Sequence, residues 1–136
     1  MGHSYISALF HCTFSTKDRK KQITADLQSR LWAFMGGIAR ENGMKALIVG
    51  GTDDHAHVLL SLPATMPVAK AIQLIKGGSS KWIHDTFPQH AGFCWQEGYG
   101  AFSIGISQME QTASDPAMNR WVTILGFLPE FLKFCP

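Results

Sequence analysis

Two histidines separated by one residue, His55 and His57 in Asp54-His55-Ala56-His57-Val58-Leu59-Leu60, are the side chains best placed by type and spacing to do chemistry. Imidazole nitrogens are common ligands for divalent metal ions. Side chains on a β-strand alternate faces, so residues 55 and 57 project from the same side and can grip one ion together. Ala56, Val58, Leu60 and Leu62 occupy the alternate positions and are all apolar, which buries the opposite face and turns the histidines toward solvent or a cleft. A His-x-His triplet also arises as two half-exposed sheet residues, so its meaning depends on the elements that carry it.

Those elements follow from hydrophobic periodicity. Tyr5 to Thr13 reads as a first strand, with Ile6, Ala8, Phe10, Cys12 and Phe14 on one face and His11 on the other. Thr24 can cap a helix whose apolar positions Leu27, Leu31, Phe34, Met35 and Ile38 keep helical spacing until Asn42-Gly43 stops it. Met44 to Val49 forms a second strand, and Gly50-Gly51-Thr52-Asp53 makes a tight connection to the histidine-bearing third strand, which Pro63 closes. Pro67 opens a second helix with Val68, Ala71, Ile72 and Ile75 on its buried stripe. Gly77-Gly78-Ser79-Ser80 predicts a bend or break before Trp82 and Ile83. Phe93 to Ile104 reads as a fourth strand. The order β-α-β-β-α-β predicts an α+β, ferredoxin-like fold: a four-stranded antiparallel sheet with both helices on one face, leaving His11, His55 and His57 on or near the other, open face.

At 136 residues the chain supports one domain with one core. Hydrophobic content of 46% with 16% charged residues is globular, and no apolar run approaches the roughly 18 residues of a membrane span. The start, Met1-Gly2-His3-Ser4-Tyr5, does not resemble a secretory signal, so a cytoplasmic protein is expected. Cys12, Cys94 and Cys135 are odd in number and widely spaced, which fits neither a disulfide framework nor a thiolate zinc site. A net charge of +2 does not prove a nucleic-acid partner, but the cations are grouped: Lys17, Arg19, Lys20 and Lys21 after the first strand, and Lys70, Lys76 and Lys81 on the second helix. Arg19, Lys20, Lys76 and Lys81 are the candidate phosphate contacts, with a solvated loop and helix face as the plain alternative.

With these features in place the chain resembles the HUH-type single-tyrosine transposases of insertion sequences of the IS-two-hundred kind and their palindromic-repeat-associated relatives. The resemblance rests on Asp54-His55-Ala56-His57-Val58-Leu59-Leu60, on Ile75-Lys76-Gly77-Gly78-Ser79-Ser80-Lys81-Trp82-Ile83 and on Trp95-Gln96-Glu97-Gly98-Tyr99-Gly100-Ala101-Phe102-Ser103. Phe14-Ser15-Thr16-Lys17-Asp18-Arg19 looks like the family's first strand and basic loop. The likeness implies a homodimeric nuclease and strand transferase that acts on single-stranded hairpin DNA. It further implies that His55 and His57 hold Mg2+ or Mn2+ against the scissile phosphate, while a helical tyrosine attacks to leave a 5′-phosphotyrosine.

The chain departs from that pattern after Ser103. The family has a helix bearing Tyr-Ile-x-x-Gln and then paired histidines. Here Asp115 falls at the tyrosine position, Asn119 at that of the glutamine, a possible metal ligand, and Val122 and Thr123 at those of the histidines. Pro116 is unfavourable inside a helix, at a cost of about 3 kcal/mol. The single domain, residues 1–136, therefore divides into a family-like part (3–111), a divergent, altered C-terminal segment (112–125) and a family-like tail (126–134). Two compensating frameshifts would produce such a segment. Of the remaining tyrosines, Tyr5 lies on a strand and Tyr99 reads as a sheet or interface aromatic rather than a nucleophile. The expectation is a transposase-family protein with impaired cleavage. Two alternatives stand beside it: a non-catalytic nucleic-acid-binding module, and a metal-dependent hydrolase using His55, His57 and an acidic partner such as Asp54, Glu97 or Asp115.

Overall fold

A computed structural model describes residues 8–105. The readings made for Tyr5, Asp115, Pro116, Asn119, Val122, Thr123, Cys135 and the tail lie outside the described residues. Within them the elements run β1 (Leu9–Ser15), a 3-10 turn (Lys17–Arg19), α1 (Ala25–Glu41), β2 (Lys45–Gly51), β3 (His55–Ser61), α2 (Val68–Thr86), a second 3-10 turn (Pro88–His90) and β4 (Gly100–Ser103). The four strands form one antiparallel sheet in the order β2-β3-β1-β4, which is the ferredoxin-like α+β arrangement.

Alternation along the strands decides what the helices cover. Cys12 and Phe14 of β1 and Ala56, Val58 and Leu60 of β3 join Leu27, Leu31, Met35 and Ile38 of α1 and Ala71, Ile72, Ile75 and Ile83 of α2 in one buried core. Burying these side chains stabilises the fold by about 1.5–3 kcal/mol for each large one. His11, Thr13, Ser15, His55 and His57 occupy the opposite positions of the same strands. The expectation of an open face needs correcting here, because all five are buried and His55 alone keeps more than a trace of exposure, at 8%.

Two element predictions are corrected as well. Helix α2 runs unbroken through Gly77-Gly78-Ser79-Ser80. The Ser79 hydroxyl donates to the Ile75 carbonyl one turn back, and a Cβ at Gly78 would come within 2.9 Å of Ile38 Cδ1, so the glycine lets α1 approach closely. Tertiary packing outweighs the weak local preference of this stretch for helix. The fourth strand is only Gly100–Ser103, since residues 93–99 run as a loop across β1 with a single bridge from Trp95 to Thr16.

The β2–β3 connection depends on one glycine. Gly51 has φ 149°, and a Cβ there would collide with the His55 carbonyl oxygen and lie 2.9 Å from Ala56 Cα. Rotating a side chain cannot relieve a clash with backbone. Gly51→Ala is expected to cost about 3 kcal/mol in urea unfolding. Gly77→Ala, whose Cβ meets nothing within 4 Å, is expected to gain up to about 1 kcal/mol.

Candidate metal and DNA site

His55 opens β3 directly after the turn, and its Nδ1 lies 2.7 Å from Asp54 Oδ1 and 2.9 Å from Thr52 Oγ1. A carboxylate only accepts, so Nδ1 carries the proton, which leaves Nε2 as the nitrogen available for ligation. That Nε2 is buried with no hydrogen-bond partner among the described residues. Burial pushes the Asp54 carboxyl up, but the His55 hydrogen bond, the Arg19 charge and Thr52 outweigh it and hold Asp54 below the usual carboxylate range. Asp54 thus stays ionised and fixes the ring, in the carboxylate–histidine arrangement typical of metal-ligating imidazoles.

His57 lies on the same face, with its ring centroid 4.8 Å from that of His55 and the planes at 87°. Its Nδ1 is 3.1 Å from Nε2 of His11 on β1. Burial holds both of these rings neutral: His11 is lowered to about 3, and His57 to about 2 with help from the nearby His55 and His11. Directly opposite the two β3 histidines, in register, stand Thr13 and Ser15, whose hydroxyl oxygens are buried without a hydrogen-bond partner among the described residues. Leaving buried polar atoms unpaired costs about 1–3 kcal/mol each. A cluster of neutral imidazoles and unpaired hydroxyls on one face therefore fits a polar ligand, and its nitrogens fit a divalent cation.

The flanking loop is tied to the same turn. Asp18 and Arg19 both take positive φ, 56° and 54°, a conformation uncommon outside glycine. The loop is pinned by Thr16 N–H to the Asp54 carbonyl (2.9 Å), Lys17 N–H to the Cys94 carbonyl (2.9 Å), Asp18 N–H to Gln96 Oε1 (3.0 Å) and Ile23 N–H to the Asp53 carbonyl (2.9 Å). Arg19 consequently reaches Asp54, at 3.5 Å, and Lys20 is exposed beside it.

The helix cations separate. Lys81 is 78% exposed and pairs with Asp85 one turn on. Lys76 turns inward instead: its ammonium donates to the carbonyls of Gln96 (2.6 Å) and Gly98 (3.0 Å) and lies over the Phe14 ring. Trp95 Nε1–H donates to Ser79 Oγ (3.0 Å). The Lys-Gly-Gly-Ser and Trp-Gln-Glu-Gly-Tyr motifs are thus two halves of one clamp between α2 and the loop leading to β4. Tyr99, on that loop, is 37% exposed.

Of the acidic partners of the hydrolase alternative, Asp115 lies outside the described residues, and neither Asp54 nor Glu97 completes a metal-holding group with the pair. Asp54 faces the Nδ1 side of His55, and among the described residues no group of three His, Cys, Asp or Glu side chains is placed to hold one ion. The sequence reading put His11 near the face but missed its contact with His57, and it missed Thr13, Ser15 and Thr52 altogether. The polar alternation His11, Thr13, Ser15 against Cys12 and Phe14 was the available signal.

A ferredoxin-like sheet carrying paired imidazoles is the class of domain defined by this geometry. The model of the family described as "Transposase IS200 like" matches residues 4–114, and the chain belongs to that family. It is similar to the ISDra2 transposase TnpA of Deinococcus radiodurans, 24% identical over 116 residues that cover 81% of this chain and 83% of that protein. A crystal structure described as that of a transposase from Deinococcus radiodurans superposes with a TM-score of 0.69 at 20% identity, covering 82% of this chain and 90% of the other. A REP-associated tyrosine transposase bound to a REP hairpin gives 0.58 at 14% identity, covering 82% of this chain and 65% of that one. At these identities the structural likeness speaks for the shared fold. Among the described residues no helix is long and apolar enough to cross a membrane.

Proposed function

We propose that this chain binds single-stranded hairpin DNA as a homodimer and holds Mg2+ or Mn2+ on His55 and His57, with strand cleavage impaired because Asp115 stands where the nucleophilic tyrosine is expected. The observation that carries the reading is the pair of rings on one sheet face, with His55 Nε2 buried and without a hydrogen-bond partner among the described residues. Membership of the transposase family supports it, as does the fold shared with a tyrosine transposase bound to a REP hairpin.

A bound divalent ion supplies Lewis-acid polarisation of a phosphoryl oxygen. The residues of the chain do the rest. Asp54 and Thr52 orient His55, while Arg19, Lys20 and Lys81 offer charge to phosphates and give an affinity that falls steeply with salt. Lys76 contributes by holding the Gln96–Gly98 loop in place. With aspartate at position 115, no phenol is available there to form a covalent link to DNA.

Incubating the full chain with end-labelled single-stranded hairpin DNA and Mn2+ tests this. A salt-sensitive shifted band with little or no cleavage is expected. A covalent protein–DNA adduct formed at high yield would overturn the impaired-cleavage reading, and its loss in Tyr99→Phe would identify the nucleophile. Free cleaved ends without an adduct would favour the hydrolase, and no binding at low salt would overturn the DNA reading.

A further inference from the structure

We infer that His11 is a positioning residue for the metal site: by accepting a hydrogen bond from His57 Nδ1–H, it fixes the tautomer in which His57 presents its Nε2 lone pair to the ion. The inference rests on the metal reading above and assigns a role to a third histidine, contributed by a different strand.

The argument is one of proton placement. His11 Nε2 and His57 Nδ1 are 3.1 Å apart and both rings are buried, so the contact is a hydrogen bond with one proton between the two nitrogens. Two arrangements are possible. If His11 donates from Nε2, His57 accepts at Nδ1 and carries its proton at Nε2, which then has no lone pair for an ion. If His57 donates from Nδ1, its Nε2 is a ligand, and His11 carries its own proton at Nδ1. Only the second arrangement gives the two β3 rings matching character, because Asp54 already fixes His55 with Nδ1–H and a bare Nε2. Each ligand is then held through its Nδ1 by a separate partner, Asp54 from the turn and His11 from β1. His11 sits opposite Leu59 in the β1–β3 register, and this puts it on the diagonal from His57, where a long side chain can reach across the face. The rings lie with centroids 5.2 Å apart and planes tilted by 30°.

Two measurements on the full chain test the role. In metal-free protein labelled with 15N-histidine, long-range 1H–15N correlation should show His57 protonated at Nδ1 and bare at Nε2. Mn2+ affinity, read by electron paramagnetic resonance of free Mn2+, should fall about 10- to 100-fold in His11→Leu, the range seen when outer-shell partners are removed. His11→Gln, which retains an acceptor at a similar reach, should keep most of the wild-type affinity. Failure of wild-type protein to bind Mn2+ would overturn the metal reading and this inference with it. Wild-type binding that His11→Leu leaves unchanged, or a His57 ring protonated at Nε2 in the metal-free protein, would overturn the role of His11 alone.

Discussion

His57→Ala is expected to lower Mn2+ affinity by on the order of 100-fold or more, beyond the range typical of outer-shell partners, because His55 is then the one ligand imidazole left of the proposed pair. Hairpin DNA affinity at low salt should largely persist, since the proposed function assigns it to the loop and helix cations, which the substitution leaves in place. Melting temperature gives a readout that does not require catalysis. If the site binds as proposed, Mn2+ at 100 times its Kd should stabilise the wild-type fold by about 2.7 kcal/mol, a rise of several degrees. At the same ion concentration a variant weakened 100-fold should gain at most about 0.4 kcal/mol, so its melting temperature should rise by no more than about 1–2 °C. A Mn2+-dependent rise that survives at its wild-type size in His57→Ala would falsify the assignment of this ring as a ligand. Two nitrogen donors also favour Mn2+ over the harder Mg2+, so the Mg2+ response of wild-type protein should be the weaker one.

Trp95→Ala is expected to produce a large loss of stability, about 3–5 kcal/mol, the range for removing a buried large aromatic. Trp95 is 7% exposed and meets Phe14 and Phe93 edge-on, with centroids 4.8 and 4.9 Å away, while its N–H reaches Ser79 on α2. A loss of that size is a substantial part of the roughly 5–15 kcal/mol by which domains of this kind are stable. Urea unfolding should show the midpoint falling with little change in slope. Trp95→Phe keeps most of the ring packing and loses the hydrogen bond, so it should cost much less, about 1–2 kcal/mol. Because Gln96 and Lys76 share the clamp, weakening it should also loosen the Asp18–Arg19 loop.

The sequence was most legible where its pattern was strict. The apolar alternation at Ala56, Val58, Leu60 put both β3 histidines on the face away from the helices, and the helical spacing from Leu27 to Ile38 located α1. It failed where tertiary contacts overrode a local preference. Glycines 77 and 78 suggested a break, yet Gly78 makes room for Ile38 and Ser79 ties back to Ile75. Period-two reading extended the last strand across residues 93–99, where side-chain anchoring of Trp95 and Gln96 holds a loop instead. Burial of the histidine face was also invisible, because alternation assigns a side chain to a face without saying what lies over it. The inward turn of Lys76 could not be read either, since a lysine on a helix looks the same in sequence whether it meets water or two carbonyl oxygens.

The outer edges of the sheet carry a last consequence. In the β2–β3 register Ala46 pairs with Leu60 and Ile48 with Leu59, so Leu47 is an extra residue that bulges out, 42% exposed. At the far side, among the described residues, β4 offers four residues. A kinked border on one flank and a stub on the other are both poor templates for recruiting a further strand. Lateral growth of the sheet into fibrils is therefore discouraged at each end, and any self-association of this domain should stay discrete even when the protein is concentrated.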